Sequence, residues 1–348
     1  MIKWLLNSFF NAFFPVKNNE EKIMMYVLIL MILFAAELLY FRIAEKYHII
    51  DKPNERSSHK RVTLRGGGII YWVAALIYVI LNPSRQSAWF FAGITVIAAI
   101  SFWDDIKGSG QKIRLVFHLL AMTCAFFAIN VFGEFPWWAI ALGYIVFMGI
   151  VNAYNFMDGI NGITGLYSLV VLGTLQYVNM RISPFVDPNM IWFPMLASAV
   201  FLFFNFRKKA RCFAGDIGSV SIAFWIVFLL LSLMIQTQNL IWIGFLLVYG
   251  VDSVCTILHR IYLKQNIMEA HRLHFYQILA NEYCMPHRLV SLIYAAVQLV
   301  CSALIIRFYP THAWSIFTFL ALVLVAVYSL KFKLMKQTAI INKKRKTT

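Results

Sequence analysis

Stretches of about twenty apolar residues, separated by short polar segments, recur along almost the whole chain. An α-helix needs roughly 20 such residues to cross the hydrocarbon core of a bilayer. Hydrophobic residue types make up 61% of the sequence and charged types only 13%, whereas soluble domains carry about 25% charged residues. A water-soluble fold of this composition would expose large apolar patches. The pattern therefore predicts an all-α, polytopic integral membrane protein.

The apolar stretches between polar interruptions predict eleven transmembrane helices. They are expected at residues 24–43, 67–82, 88–103, 114–132, 136–152, 163–179, 190–206, 219–236, 239–257, 289–308 and 313–331. The preceding residues 1–23 are predicted to form an amphipathic extension at the membrane interface, without the features of a cleaved signal peptide. Residues 24–331 are predicted to form one membrane-embedded domain, and residues 332–348 a basic tail at the anionic lipid surface.

The basic residues are distributed unevenly between the alternating loops. One set of loops contains 25 of the 31 Lys and Arg residues, and the positive-inside rule assigns it to the cytoplasm. This set comprises residues 42–65, 104–114, 153–162, 207–218, 258–288 and 331–348. The same rule accounts for the net charge of +16, so no nucleic-acid partner is expected. The five cysteines contain no C-x-x-C pair, which indicates free thiols rather than a zinc site or a disulfide framework.

Acidic residues at the membrane edge are the first candidates for chemistry. Asp104 and Asp105 are adjacent at the end of a predicted span, where carboxylates are costly unless solvated, paired or metal-bound. Like charges this close can also turn one of them into a proton acceptor. Asp216 lies between two glycines at the start of another span, and its hard oxygen ligands suit Mg²⁺. Local Asp–Lys pairing and a helix N-cap are the structural alternatives.

The third cytoplasmic loop contains no Lys or Arg between its two apolar spans. It carries Asp158 together with Asn155, Asn161 and several glycines. An unneutralised carboxylate among amide side chains suits a turn that presents oxygen ligands to Mg²⁺ or to a nucleotide. Asn-Gly and Asp-Gly turn formation is the structural alternative.

Basic and imidazole side chains in two other loops can bind phosphate. In the first loop they are Arg56, His59 and Arg65, followed by three glycines that allow a ligand to approach the backbone closely. In the last loop they are His271, Arg272 and His274, with Gln277 nearby. A positive-inside loop with a flexible hinge is the structural alternative for the first group.

Asp252 lies inside a predicted span. It is expected to face a polar cavity or to pair with Arg260. Together, the carboxylates and the basic ring on one side of the membrane favour Mg²⁺-assisted phosphoryl transfer, in which catalysis is mostly positioning and charge neutralisation.

The loop motifs, in their order along the chain, resemble those of the polyprenyl-phosphate N-acetylhexosamine-1-phosphate transferases (glycosyltransferase family 4). The resemblance runs from about Asp51 to Gln277 and includes Asp-Asp, Asn-Phe-Met-Asp-Gly, Gly-Asp-x-Gly-Ser and the His-containing last loop. The strings Arg-Ser-Ser-His, Arg-Gly-Gly-Gly and His-Arg-x-His-x-Tyr-Gln look most like the O-antigen-initiating subgroup. That subgroup uses UDP-linked deoxy sugars such as N-acetylfucosamine or N-acetylquinovosamine.

The resemblance implies transfer of N-acetylhexosamine-1-phosphate from a UDP-sugar, of the deoxy type or otherwise UDP-N-acetylglucosamine, to undecaprenyl phosphate, with release of UMP. It places the enzyme in the bacterial inner membrane, surrounded by membrane lipids, with its active site on the cytoplasmic face. The product would begin O-antigen or other cell-envelope glycan synthesis. The implied cofactor is Mg²⁺, for which Mn²⁺ can substitute, and a homodimer is left open.

The resemblance also implies a role for each candidate residue. Asp216 would be the principal Mg²⁺ ligand, assisted by Asp104. Asp104 and Asp105 would act at the lipid phosphate, and Asp158 and Asn155 would line the nucleotide and diphosphate site. The remaining candidates would bind substrate: Arg56, His59, Arg65, Asn161, His271, Arg272, His274 and Gln277.

Two departures from the family pattern affect these expectations. Asn161 stands where many members carry a second Asp, which weakens a metal or nucleobase role there. Leu64 stands where Pro often precedes Arg-Gly-Gly-Gly, which is expected to loosen that turn.

Two other functions fit a polytopic protein: a transporter or flippase, which would place charges near the bilayer midplane, and an inactive relative serving as an assembly platform.

Overall fold

The computed structural model describes residues 19–51, 62–108, 110–266 and 271–347. Most of the predicted extension 1–23 and the candidates Arg56 and His59 lie outside these residues. The helices are α1 (Asn19–Lys46), α2 (Ile70–Leu81), α3 (Arg85–Lys107), α4 (Gln111–Ala128), α5 (Val131–Glu134), α6 (Trp137–Met157), α7 (Ile163–Arg181), α8 (Asn189–Asn205), α9 (Gly215–Thr237), α10 (Leu247–Tyr262), α11 (Phe275–Gln277), α12 (His287–Phe308) and α13 (Ala313–Thr347). The only strands among these residues are β1 (Ile50–Asp51) and β2 (Thr63–Leu64), which pair antiparallel.

Three further turns extend these helices. The 3₁₀ segments Gly67–Ile69 and Leu240–Leu246 lead into α2 and α10, and the π-helical turn Ile278–Glu282 continues α11. The predicted basic tail is the continuation of α13, which runs unbroken to Thr347. All five cysteines are free thiols, as predicted.

The predicted all-α, polytopic class is confirmed. Within the described residues, nine helices are long and apolar enough to cross a membrane. Every predicted span overlaps a helix, but the apolar helices Gly67–Leu81 and Asn189–Asn205 are shorter than the others. Both fall short of the roughly 20 residues that a full crossing needs, so the count of eleven spans stays a prediction.

Helix α9 forms the centre of the bundle. In its apolar stretch 89% of the residues are buried inside the bundle, compared with 22% for α1 and 17% for α13. Aromatic side chains fill the space around it: the ring of Phe90 on α3 lies 5.0 Å from Trp225 and 4.9 Å from Phe228. The N-terminus of α9 is therefore held in a fixed position among its neighbours.

The segment before α2 is joined to the segment before α9 by backbone hydrogen bonds. Phe213 N donates to Leu64 O (2.8 Å), Gly67 N to Phe213 O (2.9 Å) and Gly68 N to Ala214 O (3.1 Å). Leu64 is buried and also pairs with Ile50 across the β1–β2 ladder. The missing proline therefore does not leave this turn loose.

Glycines allow α2 and α9 to meet backbone to backbone. A Cβ atom on Gly68 would overlap the Cα of Gly218, and a Cβ on Gly218 would lie 2.6 Å from the Cα of Gly68. Real Cβ atoms do not approach backbone this closely, so the contact requires glycine both in the 3₁₀ segment before α2 and on α9. It fixes the distance between the segment carrying Arg65 and the helix carrying Asp216.

Gly68→Ala is expected to lower the stability of the purified protein by about 1–3 kcal/mol, because the added methyl group must separate two packed backbones. The unfolding temperature in detergent measures the effect. Gly149→Ala is the matched control, since a Cβ at this exposed position of α6 meets no atom within 4 Å. Equal unfolding temperatures for the two variants would contradict the requirement for glycine at position 68.

Candidate functional site at the N-terminus of α9

Three carboxylates and two guanidinium groups converge where α3 ends, α4 begins and α9 begins. Arg65 Nε lies 2.6 Å from Asp105 Oδ1, and its NH2 atom lies 3.5 Å from Asp216 Oδ1. Arg114 NH1 lies 2.9 Å from Asp104 Oδ2 and 3.4 Å from Asp216 Oδ2. The predicted second and fourth loops therefore form one cluster, with Arg65 of the first loop beside it.

Asp105 holds the first turn of α9. Its side chain is fully buried, and its two oxygens accept hydrogen bonds from the backbone N–H groups of Asp216 (2.9 Å) and Ile217 (3.1 Å). Free N–H groups at a helix N-terminus favour such an anionic partner. Gly215 has a φ of 71°, and a Cβ there would lie 2.5 Å from Asp105 Oδ2, so glycine is required for this approach.

Asp104 and Asp216 are the open carboxylates of the cluster. Their side chains are 14% and 17% exposed, whereas that of Asp105 is not exposed at all. One nitrogen of Arg114 contacts both of them. Asp216 also contacts Arg65 through its other oxygen, so both carboxylates lie beside positive charge at the accessible edge of the cluster.

The donor set fits a magnesium ion. Mg²⁺ prefers oxygen ligands and is usually bound by one or two carboxylates, with water and substrate phosphate completing its shell. Asp104 and Asp216 supply such a pair. In the described part of the chain no group of three or more His, Cys, Asp or Glu side chains is arranged to hold a metal ion.

The third loop lies against this cluster. Asn155 Nδ2 donates to Ser219 Oγ (3.3 Å), one turn into α9. Asp158 accepts a hydrogen bond from Thr164 Oγ1 (2.6 Å). Burial, the largest cause, raises the pKa of Asp158 to about 7, and the nearby charges of Asp216 and Asp105 add to the shift. Asn155 thus contacts α9 close to Asp216, and Asp158 lies near the same cluster. Their predicted place in a nucleotide and diphosphate site stays a prediction.

Asn161 links loops to one another. Its side chain is buried and donates to Arg207 O (2.9 Å), while its backbone carbonyl accepts from Ser291 Oγ (2.9 Å). Its substrate contact stays a prediction.

The last loop is fixed to the bundle by Asp252. Asp252 accepts from Tyr294 OH (2.7 Å) and forms an ion pair with His274 Nδ1 (3.2 Å) when that ring is protonated. The alternative pairing of Asp252 with Arg260 is therefore wrong, because the chain turns back at residues 271–277 and places His274 against the carboxylate.

Tyr276 joins the last loop to the third. Its hydroxyl donates to Phe156 O (2.9 Å), and a Cβ on Gly159 would collide with that hydroxyl. Gln277 Oε1 accepts from the backbone N–H of His274 (3.2 Å) and so caps the turn locally. Arg272 is partly exposed in the same loop. Contacts of His271, Arg272, His274 and Gln277 with substrate stay predictions.

Arg114 is the site residue that sequence reasoning overlooked. It was expected only to border the fourth apolar span, yet it contacts two of the three clustered carboxylates. Its position offers a signal: a cation at the start of an apolar helix, one short loop after an Asp-Asp pair, is costly in the membrane unless it is paired. The fold supplies that pairing by making α3 and α4 antiparallel neighbours.

Comparisons with known proteins find similarity over the part of the chain that carries most of this site. Residues 87–234, which contain Asp104, Asp105, Arg114, Asp158 and Asp216, match the model of the family described as Glycosyl transferase family 4. The chain is 25% identical over 280 residues to the probable undecaprenyl-phosphate N-acetylglucosaminyl 1-phosphate transferase of Bacillus subtilis (strain 168). That alignment covers 75% of this chain and 77% of the relative.

Two further relatives are matched over shorter regions. The undecaprenyl-phosphate alpha-N-acetylglucosaminyl 1-phosphate transferase of Yersinia pestis is 28% identical over 59% of this chain and 61% of the relative. The phospho-N-acetylmuramoyl-pentapeptide-transferase of Thermotoga neapolitana is 28% identical over 47% of this chain and 58% of the relative. The chain therefore spans less than two thirds of each of these two proteins.

Asp158→Asn is expected to stabilise the protein more at pH 8 than at pH 5. A folded-state pKa of about 7 lies above the value of about 3.9 for an unfolded chain, so the wild-type carboxyl group loses stability as the pH rises towards 7. Asparagine avoids this ionisation and can still accept from Thr164. Unfolding temperatures in detergent at both pH values provide the measurement, and a pH-independent difference between variant and wild type would contradict the raised pKa.

Proposed function

We propose that this chain is a member of glycosyltransferase family 4 and transfers an N-acetylhexosamine-1-phosphate from a UDP-sugar to undecaprenyl phosphate, releasing UMP. The observation that supports it best is the cluster at the N-terminus of α9, where three carboxylates and two arginines lie within 3.5 Å of their partners. Phosphoryl transfer between two anionic substrates needs positioned positive charge together with metal-binding carboxylates. Relatives named as sugar-1-phosphate transferases support the same reaction.

The two arginines are proposed to receive the phosphate groups. Each now contacts carboxylates, and each is partly exposed, with side chains 32% (Arg65) and 25% (Arg114) accessible. Guanidinium groups bind phosphate oxygens with charge-assisted, often bidentate hydrogen bonds. Arg65 and Arg114 therefore stabilise the negative charge on the diphosphate and on the lipid phosphate.

The adjacent aspartates are proposed to have different roles. Asp105 is buried and already accepts from two backbone amides and from Arg65, so it positions the first turn of α9 and Arg65. Asp104 is more accessible, and it is the carboxylate proposed to face the lipid phosphate. Asp158, beside the cluster, is proposed to lie next to the nucleotide.

A bound Mg²⁺ would be held by Asp216 with Asp104, and it would neutralise phosphate oxygens during transfer. Asn155 is held against α9 by its hydrogen bond to Ser219, one turn beyond Asp216. The residues of the chain itself would bind and orient both phosphate groups.

We also propose that the cluster faces the cytoplasm of a bacterial cell, in its inner membrane. Five of the predicted cytoplasmic loops contribute described residues to the site, and these residues lie at one end of the bundle. The excess of Lys and Arg in these loops supports a cytoplasmic location for that end. The names of the relatives favour UDP-N-acetylglucosamine as donor, and deoxy sugars such as N-acetylfucosamine and N-acetylquinovosamine remain candidates from the loop motifs.

The test is release of UMP by the purified chain in detergent with Mg²⁺, undecaprenyl phosphate and a panel of UDP-N-acetylhexosamines. Turnover with at least one sugar and loss of turnover on omission of Mg²⁺ are expected. Asp216→Asn should lower kcat roughly 100-fold or more, because a ligand for the phosphate-neutralising ion is lost. Asp187→Asn is the control, since Asp187 is an exposed aspartate in the loop at the other end of the bundle. A folded protein that turns over no UDP-sugar would refute the proposal.

The two adjacent aspartates should respond differently to substitution. Asp104→Asn is expected to reduce kcat while leaving the unfolding temperature close to that of the wild type. Asp105→Asn is expected to reduce both, because one acceptor atom cannot serve two backbone amides and Arg65 at once. UMP release and thermal unfolding of the same preparations check this, and an equally stable Asp105→Asn variant would contradict its positioning role.

A further inference from the structure

A chain of hydrogen bonds connects the last helix to Asp252. Lys331 Nζ on α13 donates to Tyr328 OH (2.6 Å), and that hydroxyl lies 2.9 Å from Thr256 Oγ1 on α10. Thr256 in turn donates to Asp252 Oδ1 (3.2 Å). All four side chains are buried. A lysine buried within an apolar helix is costly unless its ammonium group has hydrogen-bond partners. These partners tie α13 to α10.

Asp252 also fixes the start of the turn at residues 274–276. Its oxygens accept from Phe275 N (3.0 Å), Tyr276 N (3.4 Å) and Tyr294 OH (2.7 Å). A carboxylate with so many donors acts only as an acceptor, so His274 Nδ1 must carry the proton that faces it. The His274 ring is therefore held in one tautomer.

His274 is too enclosed to be the main contact of this loop with a ligand. It is only 1% exposed, and its ring lies 4.9 Å from His271 and 5.9 Å from Tyr276. It packs the turn against the bundle and supports its neighbour. His271, by contrast, is partly exposed. The rings of both histidines lie 6.2 Å from the ring of Phe156, a residue of the third loop between Asn155 and Asp158 in the sequence.

The hydrogen bonds of His271 determine which nitrogen it presents. The backbone N–H of Leu273 donates to His271 Nδ1 (3.3 Å), so the proton of the neutral ring is on Nε2. Burial, the largest cause, lowers the pKa of His271 to about 3, and the neighbouring basic side chains of His274, Arg260 and Lys331 add to the effect while Asp252 opposes it. The ring therefore stays neutral at physiological pH.

We propose that Asp252, His274 and Tyr328 are positioning residues that present His271 as a neutral N–H donor to an uncharged oxygen of the sugar, a hydroxyl or the acetyl carbonyl. A diphosphate would be bound better by a cation, whereas a neutral imidazole N–H suits a neutral acceptor. The inference rests on the proposed function. It separates two histidines whose sequence motif gave them the same role, and it brings the last helix into the site.

Kinetics with both substrates varied test the role of His271. Loss of one neutral hydrogen bond in His271→Ala should raise KM for the UDP-sugar roughly 3- to 10-fold, with KM for undecaprenyl phosphate unchanged. His271→Gln should restore most of the loss, because its terminal amide can place an N–H near the Nε2 position. His312→Gln, at an exposed position at the other end of the bundle, is the control. An increase in KM for the lipid substrate instead would overturn the assignment.

Tyr328→Phe tests the positioning network without removing Asp252. It deletes the hydroxyl that joins Lys331 to Thr256. The KM for the UDP-sugar is expected to rise less than in His271→Ala, and the KM for undecaprenyl phosphate to stay unchanged. Wild-type values for both substrates would exclude α13 from the network.

A measurement without substrate separates this inference from the proposed function. In protein labelled with ¹⁵N-histidine, the ¹⁵N shifts of His271 should show a neutral ring protonated on Nε2 between pH 5.5 and 8, and those of His274 a proton on Nδ1. Difference spectra against His271→Gln and His274→Gln assign the signals. A His271 ring that titrates in this range, or is protonated on Nδ1, overturns the inference. Absence of turnover with every UDP-sugar would refute the proposed function alone.

Discussion

The contact between Asp105 and the first turn of α9 organises the rest of the site. A carboxylate with no exposed surface is tolerated there because two backbone N–H groups and Arg65 compensate its charge. The same contact fixes three things at once: the end of α3, the start of α9 and the direction of Arg65. Asp104 and Asp216, one residue before Asp105 and one residue after Gly215, take their positions from it. The paired glycines Gly68 and Gly218 make the close approach possible.

The bundle carries a second buried carboxylate of the same kind, on α10. Asp252 lies within α10 and is likewise surrounded by donors from elsewhere in the chain. Asp105 accepts hydrogen bonds from the first N–H groups of α9, and Asp252 from those of the short helix α11. The helix N-terminus stabilises the buried negative charge in both cases. Each thereby holds a loop that brings functional groups to the site, Arg65 in one case and the histidine-containing loop in the other.

This arrangement explains why adjacent or similar residues differ in role. Asp104 and Asp105 share a motif, as do His271 and His274, but in each pair one member is buried in hydrogen bonds and the other is partly exposed. The buried member holds backbone or a neighbouring helix in place, and the other member keeps part of its side chain accessible. The sequence motifs point to both pairs but do not distinguish their members, because burial depends on which helices pack together.

The sequence by itself determined the all-α membrane class, the location of each apolar helix and the residues that meet at one end of the bundle. These follow from local properties: the length of apolar stretches, the placement of Lys and Arg, and the cost of carboxylates at a membrane edge. Only the tertiary structure decided that Arg114 bridges Asp104 and Asp216, that Asp252 binds His274 rather than Arg260, and that α13 reaches Asp252. Those contacts join residues distant in the chain, and their geometry depends on helix packing that no local pattern encodes.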